Sequence, residues 1–155
     1  MRLGVHIPIA GGLLEAIARA QRLACTTMQI FSRSPRGGPA PVRSSETLAA
    51  FDAARRAAGI TPLAVHAPYI INLASPEPRM WNQSVRLYCE EYTRSIQLKA
   101  DYVVTHVGSH RGDGETEGLA RVAKAVTQAL ECESADVMIL LENTAGAGNS
   151  VGARF

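Results

Sequence analysis

Short apolar runs alternate along the chain with longer segments in which apolar positions repeat at intervals of three and four. Those intervals are typical of amphipathic helices, and the short runs are typical of buried strands. Every connection between runs is long enough for a right-handed crossover, so the pattern predicts parallel strands. The predicted strands cover residues 3–7, 27–31, 62–67, 102–107 and 137–142.

Four helices are predicted between these strands, at about residues 13–23, 44–58, 75–97 and 115–131. Ser75 is expected to cap the third helix, with Pro76 in its first turn. The residues that carry the apolar repeat are Leu13, Ile17, Ala20 and Ala24 in the first helix, Leu48, Phe51 and Ala58 in the second, Trp81, Val85, Tyr88, Tyr92 and Ile96 in the third, and Leu119, Val122, Val126 and Leu130 in the fourth.

The order of strands and helices predicts an α/β fold, the N-terminal portion of a TIM (β/α)8 barrel in a single domain over residues 1–155. A complete barrel needs about 200 residues or more. A glycine-rich loop, residues 146–155, follows the last predicted strand. The first and fifth strands would therefore be open edges, which favour self-association.

Three side chains of metal-ligand type end three successive predicted strands: His66, His106 and Glu142. The carboxyl ends of parallel strands meet at one edge of a sheet, where such folds place their chemistry. A single histidine at a strand end is more often structural, but the joint pattern favours a shared site. Two imidazoles and one carboxylate suit zinc and leave a position open for water or substrate, as in catalytic sites.

Other residues near this predicted edge have more than one interpretation. His6 also ends a predicted strand, and it is either a further site residue or a satisfied core histidine. His110 lies four residues after His106, but Gly108 excludes a helix between them, so a loop donor to an anion is favoured over a chelate. Tyr69 is expected either to stack on a nucleobase or to pack in the ordinary way.

The loop after the second strand, residues 32–43, is basic. It contains Arg33, Arg36 and Arg43, and no acidic residue lies between Glu15 and Glu46. Three arginines on the rim of a site suit phosphate contacts. A solvated loop without a ligand is the alternative.

Composition and net charge bear on the fold class and on the kind of partner. Hydrophobic residues make up 46% of the chain and charged residues 19%, which favours a buried α/β sheet over disorder. A net charge of +2 is too small to indicate a polyanionic partner by itself.

Cys25, Cys89 and Cys132 form no CxxC pair, which is typical of reduced cytoplasmic thiols. We expect a cytoplasmic protein without a membrane segment, since no apolar stretch reaches roughly 18 residues and His6 and Pro8 interrupt the one that resembles a signal peptide.

Together these segments resemble endonuclease IV, a zinc-dependent family that incises DNA at abasic sites. The similarity runs in order along the whole chain, and its last three segments are the most specific. The matching residues are Gly4-Val-His6 with Gly11-Gly12, Gln29-Ile-Phe-Ser32 with Arg36, His66 through Asn72-Leu73, Thr105-His-Val-Gly-Ser-His110, and Leu141-Glu-Asn-Thr-Ala-Gly146.

The resemblance implies a TIM barrel with three zinc ions, in which His66, His106 and Glu142 are ligands and Glu142 bridges to a second zinc. It implies hydrolysis of the phosphodiester 5′ to an abasic nucleotide in double-stranded DNA, by metal-activated hydroxide, during base excision repair. The implied catalytic residue is Glu142, and the implied DNA-binding residues are Arg36, Tyr69, His6, Ser109 and His110. The family usually has serine in place of Pro8 and proline in place of Val107, and the loop around Arg36 differs from that of its relatives.

Because the remaining ligands of the family lie beyond residue 155, we expect the chain to supply ligands for one zinc and part of a second. Alone it is expected to be inactive or nearly so. One alternative is a metal-dependent sugar isomerase or epimerase on a similar barrel, which has less need of a basic loop. Another is a non-catalytic relative that keeps the fold and binds DNA.

Overall fold

Four parallel strands form one sheet, and a helix precedes each of them. The computed structural model of the protein describes residues 1–133 and 135–153, so the last two residues of the predicted glycine-rich loop lie outside the described ranges. The α/β partial barrel confirms the predicted fold class, and within those ranges no helix combines the length and the apolar character that a membrane span needs. The elements are α1 (Leu13–Arg22), β1 (Met28–Phe31), α2 (Ser45–Ala57), β2 (Leu63–His66), α3 (Pro78–Gln97), β3 (Tyr102–His106), α4 (Glu115–Cys132) and β4 (Met138–Glu142), with sheet order β1-β2-β3-β4.

The first apolar run, residues 3–7, lies parallel to β1. His6 forms an isolated bridge with Gln29, and the backbone of Gln29 makes two hydrogen bonds to the run, of 2.7 and 3.2 Å. At Gly4 the two segments approach so closely that an added Cβ would lie 1.9 Å from the carbonyl oxygen of Thr27. The run therefore takes the place predicted for the first strand with one bridge instead of a ladder, and it still brings His6 to the carboxyl end of β1.

The registers align the carboxyl ends of the strands. Phe31 pairs with His66 across β1 and β2, and His66 pairs with Val104 across β2 and β3. His106 pairs with Glu142 across β3 and β4. The last residues of all four strands therefore lie along one edge of the sheet.

Local sequence explains where two of the helices begin. Ser44 caps α2, since its hydroxyl accepts a hydrogen bond from the Thr47 amide at 3.3 Å. The predicted cap of the third helix was wrong, because α3 begins at Pro78. The Ser75 hydroxyl instead accepts from the amide of Glu77 at 3.3 Å and closes a turn ahead of the helix. A proline at the first helical position sacrifices no helical hydrogen bond.

Two apolar clusters lie between the helices and the sheet. One joins α1 and α2 to β1 and β2 and includes Ile17 and Phe51. The other joins α3 and α4 to β3 and includes Tyr88 and Tyr92, both fully buried. Ala24 was predicted to face inward, but it follows α1 with a φ of 53° and is exposed.

The inward face of α4 also differs from the prediction. Leu119 and Leu130 are 47% and 49% exposed. Val122 is buried as predicted, and Ala125 and Ala129 are buried in place of the two leucines. The leucines therefore lie on the exposed flank of α4.

A group of two buried charges, Asp52 and Arg55, and two exposed ones, Arg56 and Lys99, joins α2 to the end of α3. Asp52 accepts hydrogen bonds from Arg55 at 3.1 Å, Arg56 at 2.9 Å and Lys99 at 3.1 Å. Arg55 is only 3% exposed and also donates to the carbonyl oxygen of Ile60 at 3.1 Å. Burial alone would raise the pKa of Asp52, but the hydrogen bonds and charges of Lys99 and Arg56 outweigh it and lower the pKa below its ordinary value.

Replacing Asp52→Asn is expected to lower the free energy of unfolding by roughly 2–4 kcal/mol at pH 7, because buried Arg55 loses its counter-charge. The depressed pKa of Asp52 means that its contribution is present above the unfolded pKa of about 3.9 and is lost as the pH falls through the folded value. The difference between wild type and variant should therefore shrink below about pH 4. Urea unfolding followed by circular dichroism measures both effects.

The matched control is Glu15→Gln, which breaks the exposed 3.0 Å ion pair of Glu15 with Arg22. Exposed pairs of this kind contribute less than about 1 kcal/mol. Equal losses in the two variants, or a pH-independent difference for Asp52→Asn, would contradict the assignment.

Candidate metal centre

His66, His106 and Glu142 lie together at the carboxyl edge of the sheet. Their ligand atoms are all within 4.8 Å of one another. Glu142 Oε2 is 3.0 Å from Nε2 of His66 and 3.7 Å from Nδ1 of His106. The parallel registers cause this convergence, because they set the ends of β2, β3 and β4 side by side.

The protonation of His66 follows from its hydrogen bond to the backbone. Its Nδ1 lies 2.7 Å from the carbonyl oxygen of Ala67, which accepts only, so Nδ1 carries the proton. Nε2 then presents a lone pair to the Glu142 carboxylate, and two acceptors 3.0 Å apart call for a proton or a cation between them. Tetrahedral zinc with bonds of about 2.0–2.1 Å separates its ligand atoms by roughly 3.3 Å. The donor set and its spacing therefore fit a zinc-type cation.

Access to the cluster is one-sided. The side chain of His66 is 6% exposed, whereas those of His106 and Glu142 are 40% and 43% exposed. The buried histidine is fixed from behind by Ala67, and the other two groups face solvent. This arrangement leaves an open side for water or substrate.

Aromatic rings form one wall of the site. The Phe31 ring meets those of His66 and Tyr69 edge-on, each at 5.3 Å between centroids. The Tyr69 ring lies 5.9 Å from that of His106, and Tyr69 is 63% exposed. Tyr69 thus stands at the mouth of the site. Phe31 was not predicted to belong to the site, although its position at the end of β1 indicated that it would lie beside the other rings.

His6 lies at the rim of the cluster. Its Nδ1 accepts a hydrogen bond from the side-chain amide of Gln29 at 3.0 Å, and its ring is 6.4 Å from that of His66. Burial, and then the neighbouring His66, lower the pKa of His6. His6 is therefore a neutral neighbour of the three-residue group.

A groove of about 780 Å³ runs from the cluster over the loop that follows β3. Its lining includes Tyr69, His106, Ser109 and Arg111. Asn72 shapes this wall, since it accepts from the Ser109 amide at 2.9 Å and donates to the Ser109 carbonyl at 3.0 Å. Neither the wall nor the role of Asn72 was evident from spacing in the sequence.

Two residues of this loop explain its tight turns. At Gly108, which has a φ of +99°, an added Cβ would lie 2.2 Å from Oδ1 of Asn72. The Nδ1 atom of His110 accepts from the amides of Gly112 and Gly114, both at 3.1 Å. The proton of His110 is therefore on Nε2. Organising the loop is a role of His110 that the sequence analysis missed.

The basic loop places one of its three arginines in solvent. Arg36 is exposed, but Arg33 is buried, and its guanidinium lies 3.5 Å from Glu90 and 3.7 Å from Glu91. Arg43 is half-buried and donates to the backbone. The expectation of three arginines on the rim was wrong, because the buried acidic side chain on α3 draws Arg33 inward.

Glu91 anchors the base of this loop. It is fully buried, and it accepts a hydrogen bond from the Ser32 hydroxyl while it pairs with Arg33. Burial raises the pKa of Glu91, and the Ser32 and Arg33 contacts offset part of that rise. Arg43 donates to the Ser32 carbonyl at 2.6 Å and closes the loop from its other end. Arg36 is thus carried on a loop with a fixed base.

Comparisons with known proteins identify the family of the chain. Residues 17–155 match the family described as xylose isomerase-like TIM barrel. The probable endonuclease 4 of Carboxydothermus hydrogenoformans is 47% identical over 152 residues, which cover 98% of this chain and 53% of that protein. The probable endonuclease 4 of Methanosphaerula palustris is 45% identical, over 100% of this chain and 55% of that protein. The chain spans about half the length of these curated relatives.

Solved structures share the fold of this chain. Endonuclease IV from Thermus thermophilus superposes with a TM-score of 0.85 at 37% identity, covering 99% of this chain and 56% of that one. D-psicose 3-epimerase from Clostridium cellulolyticum superposes with a TM-score of 0.71 at 16% identity, covering 97% of this chain and 55% of that one. The second likeness shows a common fold alone. The chain therefore belongs to the xylose isomerase-like TIM-barrel family, and it is similar to endonuclease IV over about half of that protein's length.

Proposed function

We propose that the chain is the N-terminal part of an endonuclease that hydrolyses the phosphodiester 5′ to abasic sites in double-stranded DNA, in base excision repair. The observation that carries the proposal is the convergence of His66, His106 and Glu142 at the mouth of a groove beside exposed Tyr69. Relatives named probable endonuclease 4, at 47% and 45% identity over nearly the whole chain, support it.

We assign zinc to the cluster, with His66 Nε2, His106 Nδ1 and Glu142 Oε2 as its ligands. When bound, the ion supplies Lewis acidity: it lowers the pKa of water and polarises a phosphoryl oxygen. His66 keeps the inner side of the site dry, and its Nδ1–H bond to Ala67 holds the ring in orientation. Oε2 of Glu142 lies near both histidines, so this carboxylate would hold the ion together with them, and Glu142 is also the residue proposed to contribute to a second ion.

Residues around the groove are proposed to position the DNA. Tyr69 offers a ring face beside the cluster, on which a base next to the lesion can stack. Arg36 extends from the anchored loop and suits a backbone phosphate. Ser109 and His110, in the loop shaped by Asn72, and His6 at the rim complete the proposed contacts.

The nuclease is favoured over the two alternatives by particular observations. The sugar epimerase shares the fold at 16% identity. A likeness at that level gives no information about the reaction. The exposed Tyr69 beside the cluster and the exposed Arg36 on the loop after β1 fit a large anionic substrate better than a compact sugar. A ligand set with a fixed histidine tautomer favours metal chemistry over a purely DNA-binding role.

The chain alone supplies three ligands, so we propose that it holds one zinc and part of a second site. The outer strand β4 is an open edge, and its Met138 and Leu141 are 59% and 50% exposed. Residues 3–7 form the opposite edge. Such edges favour self-association, and they are where further strands of a closed barrel would pair.

Adding Zn²⁺ to the metal-free protein is expected to raise its Tm by roughly 5–10 °C at about 100 times Kd, because the ion binds the folded state. His106→Ala and Glu142→Gln should abolish this shift, since each removes one of three ligands. His110→Gln is the control and should keep the shift, whatever its own Tm. An equal shift in Glu142→Gln, or none in the wild type, would contradict the site. Differential scanning calorimetry measures each case.

Binding of abasic duplex tests the DNA contacts. Arg36→Ala is expected to lower the slope of log K against log[salt] by about one, through loss of one phosphate contact. Arg86→Ala removes an exposed arginine that pairs with Glu90 on α3, and it should leave the slope unchanged. Fluorescence anisotropy over roughly 50 to 200 mM salt gives the slopes. Indistinguishable slopes for the two variants would remove Arg36 from the interface.

Tyr69→Ala is expected to weaken binding of the abasic duplex about 5- to 150-fold, equivalent to about 1–3 kcal/mol of stacking. Tyr69→Phe keeps the ring face and should bind like the wild type. The same anisotropy assay with an intact duplex measures selectivity. If the alanine variant discriminates between the two duplexes as well as the wild type does, Tyr69 does not read the lesion.

Incision by the isolated chain is expected to stay near background, because one complete ligand set cannot clamp both the attacking and the leaving oxygen. The assay uses a 5′-labelled duplex with one abasic site, with Zn²⁺, on a denaturing gel. The metal-loaded wild type is compared with Glu142→Gln to identify any contaminating nuclease. Robust 5′ incision by the wild type that is absent from the variant would show that the chain is complete as a catalyst.

A further inference from the structure

Two cysteines that are far apart in the sequence meet in the structure. Cys89 lies on α3 and Cys132 is the last residue of α4, and their sulfur atoms are 3.1 Å apart. Both are free thiols. The third cysteine, Cys25, is buried in the other apolar cluster, between α1 and the sheet. The chain therefore has two thiols that face each other and a third, buried elsewhere, that is expected to stay reduced when the pair is oxidised.

Neighbouring contacts hold the two sulfur atoms together. Thr93 lies one turn along α3 from Cys89, and its hydroxyl donates to the Glu133 carboxylate at 2.9 Å. The Tyr92 hydroxyl donates to the carbonyl oxygen of Val137 at 3.2 Å. These bonds tie the end of α4 and the start of β4 to α3. From their distance of 3.1 Å the sulfur atoms need to approach by about 1 Å to reach the length of a disulfide bond.

The pair is accessible from solvent. Cys132 is exposed and Cys89 is half-buried, and both line a groove of about 670 Å³ on the outer side of α3. Arg43, Arg86 and Arg94 line the same groove. Glu90, which pairs with Arg86 at 3.2 Å, lines it as well. The thiolate is the form of a cysteine that reacts with oxidants. Burial, and then the neighbouring thiol of Cys132, raise the pKa of Cys89 to about 12. Cys132 is the more exposed of the two and is therefore the thiol that a peroxide reaches first.

We propose that Cys89 and Cys132 are a reversible redox site that forms an intramolecular disulfide when the protein meets a peroxide. The Cys132 thiolate attacks one oxygen of hydrogen peroxide, the O–O bond breaks, and a sulfenic acid forms while the leaving hydroxide takes a proton to become water. The Cys89 sulfur then attacks the Cys132 sulfur, the S–O bond breaks, and the second oxygen leaves as water with the Cys89 proton. Two thiols lose two electrons and one peroxide gains them.

The disulfide would link α3 to α4 across the segment that contains β3. Closing a loop of this length restricts the unfolded chain, so the oxidised protein should be more stable than the reduced one. The site is separate from the metal cluster, since none of the residues that line its groove is a proposed ligand. It does not depend on the proposed nuclease function.

The test treats the reduced, metal-free chain with hydrogen peroxide, stops the reaction with catalase, and alkylates all remaining thiols in denaturant before intact-mass measurement. The wild type should go from three alkylated thiols to one, as a monomer, and dithiothreitol should restore three. Peptide mapping should join Cys89 to Cys132. The oxidised protein should have a Tm higher by roughly 5–10 °C.

Cys89→Ser and Cys132→Ser should each form no intramolecular link and show no rise in Tm. Cys25→Ala should behave like the wild type, with both remaining thiols lost on oxidation. The proposal is wrong if the wild type keeps all its thiols under peroxide that over-oxidises free cysteine, or if Cys132 proceeds to sulfinic acid with Cys89 still reduced. Disulfide-linked dimers in place of the internal link would also overturn it.

Discussion

The parallel register of β2, β3 and β4 is the constraint on which the candidate site depends. His106 pairs directly with Glu142, and His66 lies one strand away, so three side chains from distant parts of the chain meet at one edge. A shift of one residue in any of these strands would turn a ligand to the opposite face of the sheet. The apolar clusters behind the sheet resist such a shift, since the strands bury apolar side chains against the helix pairs.

Much of this arrangement was predictable from the sequence. Strands β1 to β4 followed from short apolar runs separated by helical segments, and the meeting of His66, His106 and Glu142 followed from their positions at the ends of three of these runs. The reason is that successive strands of a parallel α/β sheet all end at the same edge, so residues that end successive strands lie side by side there. At these residues the position predicted from the local sequence agrees with the position in the fold.

The rest depended on contacts that no local pattern encodes. The direction of Arg33 is set by a buried carboxylate on α3, far away in the sequence, and helical periodicity did not reveal that alanines rather than leucines face inward on α4. The tautomer of His66 depends on the backbone direction after β2, and the shape of the groove depends on both ends of one asparagine side chain. The meeting of Cys89 and Cys132 likewise required the packing of two helices.

The loop that carries Arg36 owes its fixed base to Glu91, a carboxylate without solvent exposure. A buried charge of this kind tolerates the loss of its partner poorly. Replacing Arg33 or Glu91 alone would therefore leave a buried charge without its partner, whereas a replacement at the exposed tip of the loop would not disturb the base. A different loop grafted onto this scaffold would keep the fixed base only if it retained Ser32, Arg33 and Arg43 opposite Glu91.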